Sequence, residues 1–163
     1  MTTKARVLRA SDVQEGWLGG LGVRFLISPK ESDGGFALVE HPLRPRSLGA
    51  PLHRHTHEDE YSVIIRGRIG AQLGDEVLYA EAGDVIFKPR GQWHTFWNAG
   101  DEEATLLELI SPGRFYGYFE EMVAISGGGR PDPKLAAPIR ERHQLEVDPT
   151  SIPKLIAEHR LNT

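Results

Sequence analysis

The sequence predicts an all-β sandwich or barrel with α-helices packed on it near the C-terminal end. Three observations carry this. Short apolar segments recur between turn signals along most of the chain. The 163 residues include 18 glycines and 11 prolines, the punctuation that many short strands need. After Ser111-Pro112 the apolar spacing changes from that of strands to that of helices.

The elements follow in order. Leu21–Ser28, Phe36–His41, Tyr61–Arg66, Ile69–Leu73, Val77–Ala80, Val85–Lys88, His94–Asn98 and Ala104–Ile110 read as strands. Gly34-Gly35, Arg66-Gly67, Gly74-Asp75, Gly83-Asp84 and Asn98-Ala99-Gly100-Asp101 separate them. Beyond Pro112, Phe115, Phe119, Met122 and Val123 fall on one helical stripe, which Gly127-Gly128-Gly129 ends. Asp132-Pro133 has the form of an N-cap followed by proline at the first helical position. Pro138 is expected to shorten or kink that second helix. A last short helix is expected from about Ile152 to Arg160.

Composition narrows the function. The net charge is −4, with acidic residues scattered, so there is no basic footprint for nucleic acid. No cysteine is present, which excludes disulfides and thiolate ligands. No apolar run approaches a membrane span. Met1–Ala10 is short and charged and has no apolar core of a secretory signal, so the cytoplasm is the expected compartment. There is no nucleophile elbow. Gly127-Gly128-Gly129-Arg130 lacks the lysine and strand context of a phosphate loop.

The chemistry concentrates in His53-Arg54-His55-Thr56-His57-Glu58-Asp59-Glu60 and in His94. Imidazoles with a carboxylate suit a first-row divalent metal. In an extended strand, residues two apart share a face, so His53 and His55 can converge on one ion. From His53 the chain reads H-x-H-x4-E-x6-G, ending at Gly67; from Gly83 it reads G-x5-P-x-G-x2-H-x3-N, ending at Asn98. These resemble the two signature motifs of the cupin superfamily, joined by Arg68–Ala82. The second matches at every fixed position. The first lacks its leading glycine, with Ser47 in that place and Gly49 nearby. Ser111-Pro112-Gly113-Arg114-Phe115 and Pro131-Asp132-Pro133 resemble small quercetin-dioxygenase-like cupins.

The resemblance implies one cupin domain over residues 1–163. A jelly-roll β-barrel would span about 20–111, with a helical extension at about 112–163 packed on it. It implies one divalent transition metal ion per chain, Fe, Mn, Ni, Cu or Zn, held by His53, His55, Glu60 and His94. Four protein ligands would leave two positions open, as a catalytic site requires. His57 stands outside the set, in a turn with Glu58 and Asp59. Glu60 would double as ligand and proton acceptor, and the sequence offers no general base beyond the metal set. Strand alternation places Ser62, Ile64 and Phe96 as pocket candidates, with Trp93 and Trp97 facing the other way, into the sandwich interior or an oligomer contact. Gly67, Gly83, Pro89, Gly91 and Asn98 read as turn residues.

The implied function is a metal-dependent enzyme acting on a small oxygen-rich molecule, foremost a quercetinase-like dioxygenase. The alternatives are a metal-dependent isomerase, lyase or decarboxylase, and a non-catalytic small-ligand-binding protein. A homodimer is expected, with Trp17–Ile27 as the candidate exchanged or edge-paired strand.

Overall fold

A computed structural model describes residues 4–162; the first three positions of the Met1–Ala10 stretch lie outside them. Eleven strands and three α-helices are formed among the described residues. The strands are β1 (Gln14–Leu18), β2 (Leu21–Ile27), β3 (Ala37–Leu43), β4 (Leu52–His55), β5 (Asp59–Arg66), β6 (Arg68–Leu73), β7 (Glu76–Glu81), β8 (Val85–Lys88), β9 (His94–Asn98), β10 (Ala104–Ser111) and β11 (Leu145–Asp148). The helices are α1 (Tyr116–Ser126), α2 (Pro133–Arg142) and α3 (Ser151–His159).

The strands form two facing antiparallel sheets, a jelly roll. One is ordered β1-β2-β3-β10-β5-β8 and the other β11-β4-β9-β6-β7. Strict burial alternation along β10 and most of β5 shows which side faces inward: Ala104, Leu106, Glu108 and Ile110 on β10, Glu60, Ser62 and Ile64 on β5. Leu21, Leu43, Ile64, Ile69, Phe96 and Leu106 fill one part of the interior. A second cluster joins Val23, Val39 and Ile110 to Phe115, Tyr118, Phe119 and Met122, so α1 seals the barrel on that side. Burying such side chains stabilises the fold by about 1.5–3 kcal/mol each.

The glycines with the tightest demands behave as expected. Gly67, Gly83 and Gly91 have φ of 81°, 98° and 77°, conformations that side-chain-bearing residues rarely adopt. Asn98 closes its turn: its Nδ2 donates to the carbonyls of Leu43, Arg44 and Glu102, and its Oδ1 accepts from Gly100 N. Asp132 caps α2 by accepting from Lys134 N, with Pro133 at the helix start.

Several elements depart from expectation. Periodicity left out β1, β11 and also β4, which only the His53–His55 spacing placed on a strand. Pro138 does not shorten α2, which runs on past the proline to Arg142. Trp97 faces away from Phe96, as alternation requires, but not into the sandwich interior. It lies on the outer side of its sheet, buried beneath α3, with its ring stacked 3.9 Å from His159. Trp93 is half-buried beneath Arg54, whose guanidinium carbon lies 5.0 Å from the ring centroid. The Trp17–Ile27 stretch forms the β1–β2 hairpin, which pairs with β3 of the same chain. No helix among the described residues is long and apolar enough to cross a membrane.

A candidate metal centre inside the barrel

β4 is extended, so His53 and His55 both project inward while Arg54 points out to Glu146. His53 is the direct cross-strand partner of His94 on β9. β5 brings Glu60 from the opposite sheet. One ligand atom from each of His53, His55, Glu60 and His94 lies within 4.8 Å of the other three, and all four residues are buried. That is close to the roughly 4.2 Å between opposite ligands on an ion with bonds of about 2.1 Å.

The tautomers sharpen the fit. His53 Nδ1 donates to the carbonyl of Pro51 at 2.7 Å, and His94 Nδ1 donates to that of Gln92 at 2.9 Å. Burial above all holds both imidazoles below their ordinary pKa, in the neutral form. Their Nε2 atoms therefore carry bare lone pairs that point into the cluster. His94 Nε2 faces Glu60 Oε2 at 3.2 Å, and His55 Nε2 faces Glu60 Oε1 at 3.4 Å. Both nitrogens of His55 lack a hydrogen-bond partner among the described residues. Lone pairs converging on a carboxylate in a buried site call for a cation. The four residues fit a divalent metal, which would bind the three Nε2 atoms and Glu60.

Two further charges enter the barrel beside this cluster. Lys88 closes β8 facing inward, with its Nζ 3.0 Å from Glu60 Oε2 and 2.9 Å from Glu108 Oε2. Ser62 Oγ donates to Glu108 at 2.8 Å. Burial opposes the charge on Glu60, but Lys88 and the imidazoles outweigh it and hold the carboxyl well below its usual range. Burial dominates at Glu108, and its carboxyl is pushed up to about 7 despite Lys88. Burial also disfavours the Lys88 ammonium, yet Glu108 and Glu60 overcome it and raise its pKa.

His41, on the inner face of β3, donates Nδ1–H to Gly22 O at 2.8 Å, and burial lowers its pKa to about 4. Glu58, in the turn after β4, is only 1% accessible. Its Oε1 accepts from Arg114 Nε at 2.7 Å, and its Oε2 lies 3.7 Å from His55 Nδ1. Burial works against the charge of Glu58, but His55 and Arg114 hold its carboxyl below the usual value. His57 sits outside the cluster, half-buried, hydrogen-bonded through Nε2 to Gln144.

Of the residues expected in the pocket, Ser62 contacts Glu108, while Ile64 and Phe96 pack in the barrel core; Lys88 Nζ lies 5.1 Å from the Phe96 ring centroid. The sequence reading missed Lys88, Glu108 and His41, and found no general base outside the ligand set, a place Glu108 can fill. A signal existed. Glu108 occupies the apolar phase of Ala104-x-Leu106-x-Glu108-x-Ile110, where alternation demands an inward side chain.

Comparison with known proteins agrees with this architecture. The Cupin_2 family model, a cupin domain, matches residues 41–110. An oxidoreductase, iacF, of Pestalotiopsis fici is 40% identical over 60 residues, 36% of this chain and 29% of that protein. The chain thus aligns with under a third of that relative's length. Among solved structures, a predicted oxalate decarboxylase from Thermotoga maritima superposes with a TM-score of 0.61 at 23% identity, covering 65% of this chain and 98% of that one. A cupin-superfamily sugar phosphate isomerase from Silicibacter pomeroyi gives 0.58 at 18% identity, covering 65% and 75%. At these identities the two structures speak to the fold alone. With both signature motifs, the family match and the jelly roll in place, this chain carries a small cupin domain.

Proposed function

We propose that this protein is a metal-dependent enzyme acting on a small, oxygen-rich, anionic molecule, with dioxygenase chemistry as the leading reading. The observation that carries the metal reading is the set of bare Nε2 lone pairs turned onto Glu60 inside the barrel. A bound metal would supply Lewis-acid and template chemistry. A divalent ion, whose imidazole ligands must be neutral to coordinate it, would together with two carboxylates and one ammonium make the interior net positive, which favours an anionic oxygen ligand such as an enolate, catecholate or carboxylate. Lys88 holds Glu60 in place through its Nζ contact. Glu60 is one candidate proton acceptor. Glu108, at about 7, is better matched to taking and returning a proton near neutral pH. The oxidoreductase among the relatives supports the dioxygenase.

A second reading, a metal-dependent isomerase, lyase or decarboxylase, draws on the same Glu108. An inward carboxylate poised near neutrality serves proton transfer without any oxidant. The test is oxygen uptake by tag-free, metal-assayed protein offered flavonols, catechols and 1,3-diketones. Oxygen consumption with substrate loss is the expected result. Turnover without oxygen uptake would move the assignment to the second reading. Tight binding with no turnover would make the protein a ligand-binding cupin and overturn the enzyme.

We also infer a homodimer. Ile65, Val85 and Phe87 stand 48%, 59% and 50% exposed near the β8 edge of the six-stranded sheet. Apolar side chains beside an open strand edge suit a second copy of the chain. Sedimentation at micromolar concentration should give twice the 18.1 kDa chain mass; a monomer would remove the inference.

A further inference from the structure

The extension after Pro112 reaches the ligand strand and the turn after it at three points. β11 pairs with β4 in register, Leu145 opposite His55 and Val147 opposite His53. Phe115 is buried with its ring edge-on to His55, centroids 4.3 Å apart. Arg114, in the same turn, donates through Nε to Glu58 Oε1 at 2.7 Å and through Nη2 to Gln144 Oε1 at 3.0 Å. Glu58 is thereby held under the β4–β5 turn with its other oxygen aimed at His55 Nδ1, 3.7 Å away.

Both Glu58 Oε2 and His55 Nδ1 are buried without a hydrogen-bond partner among the described residues. Two complementary buried groups standing just beyond bonding distance cost stability unless something brings them together. The other two imidazoles show what is missing. His53 and His94 each have Nδ1 fixed by a carbonyl, leaving Nε2 for an ion. His55 lacks only that fixing bond, and Glu58 is the acceptor in place to make it.

We propose that Glu58 and Arg114 are positioning residues for the metal centre. Glu58 accepts the Nδ1–H of His55 and turns its Nε2 lone pair toward the site, and Arg114 anchors Glu58 from the C-terminal extension. The extension is then part of the metal centre. This rests on the metal reading above. A carboxylate behind a ligating imidazole fixes its tautomer and orientation, and its loss typically lowers metal affinity about 10–100-fold.

The test is titration of metal-free protein with zinc, followed by calorimetry, for wild type, Glu58→Ala, Glu58→Gln, Arg114→Ala and His57→Ala. His57 shares Gln144 with Arg114 but touches no ligand, so it controls for general disturbance of the turn. Glu58→Ala should weaken zinc binding about 10–100-fold. Glu58→Gln keeps an amide oxygen for His55 and should recover part of that loss. Arg114→Ala should weaken binding less than Glu58→Ala, and His57→Ala should leave it unchanged. Nitrogen-15 NMR of the histidine rings gives a second readout: in the zinc-loaded wild type the His55 proton should sit on Nδ1. Wild type that binds no zinc would sink the metal reading, and this proposal with it. Wild type that binds while Glu58→Ala binds as tightly, or that holds the His55 proton on Nε2, would overturn this proposal alone. Should Glu58→Ala not fold, unchanged affinity in both Glu58→Gln and Arg114→Ala would overturn it equally.

Discussion

Lys88 is the residue whose removal should say most about the barrel interior. It bridges Glu60 and Glu108 at 3.0 and 2.9 Å, and all three side chains are at most 5% exposed. Removing one partner of a buried charge cluster costs about 3–5 kcal/mol, because the remaining charges lose their counterion. Lys88→Met should therefore destabilise the metal-free protein by about that much in urea unfolding. Saturating zinc should restore part of the loss, since an ion on Glu60 compensates the missing ammonium. A variant as stable as wild type without metal would contradict this reading of Lys88.

His41 gives a pH prediction with a definite sign. Its folded pKa of about 4 lies below the ordinary 6.5, so the unfolded chain takes up a proton that the folded chain refuses. The folded state pays no such penalty above pH 6.5, and the loss grows as pH falls from 6.5 to about 4. At one pKa unit per about 1.4 kcal/mol, His41 alone accounts for roughly 3 kcal/mol at the acid end. Urea unfolding between pH 7.5 and pH 4.5 should show the decline, and His41→Gln should make it shallower. An identical slope in the variant would remove His41 as a cause.

At the scale of elements, what was legible depended on whether a strand carried its own pattern. β8 and β9 were read at their observed limits because turn glycines and alternating side chains bracket them. β11 was not, for physical reasons. It is four residues long, half-exposed, and exists only because β4 offers it an edge. β1 was obscured by Gly16, whose missing side chain lets Val123 of α1 approach: a Cβ there would stand 2.1 Å from Val123 Cγ1. Such glycines report packing that only the folded chain reveals. Gly70 on β6 is the clearest case. A Cβ there would meet the Trp97 ring at 2.3 Å, and that ring is fixed between the sheet and His159. Gly70→Ala should cost about 1–3 kcal/mol through overpacking, read as a lowered urea midpoint. A neutral result would mean that α3 yields readily.

Over the whole molecule, the candidate site was legible in its ligands and hidden in its surroundings. His53, His55, Glu60 and His94 stand at fixed spacings in two motifs, and the fold brings them together. Lys88 meets Glu108 across 20 residues and Arg114 meets Glu58 across 56; strand alternation marks Glu108 as inward, but nothing local names either partner. The central claim is that the four ligands bind one divalent ion per chain. It is tested most directly by the metal content of dialysed, tag-free wild type, His55→Ala, His94→Ala and His57→Ala. The expected result is about one ion per chain in wild type and in His57→Ala, with most of it lost from His55→Ala and His94→Ala. Metal retained without His55 or His94, or lost with His57, would contradict the account.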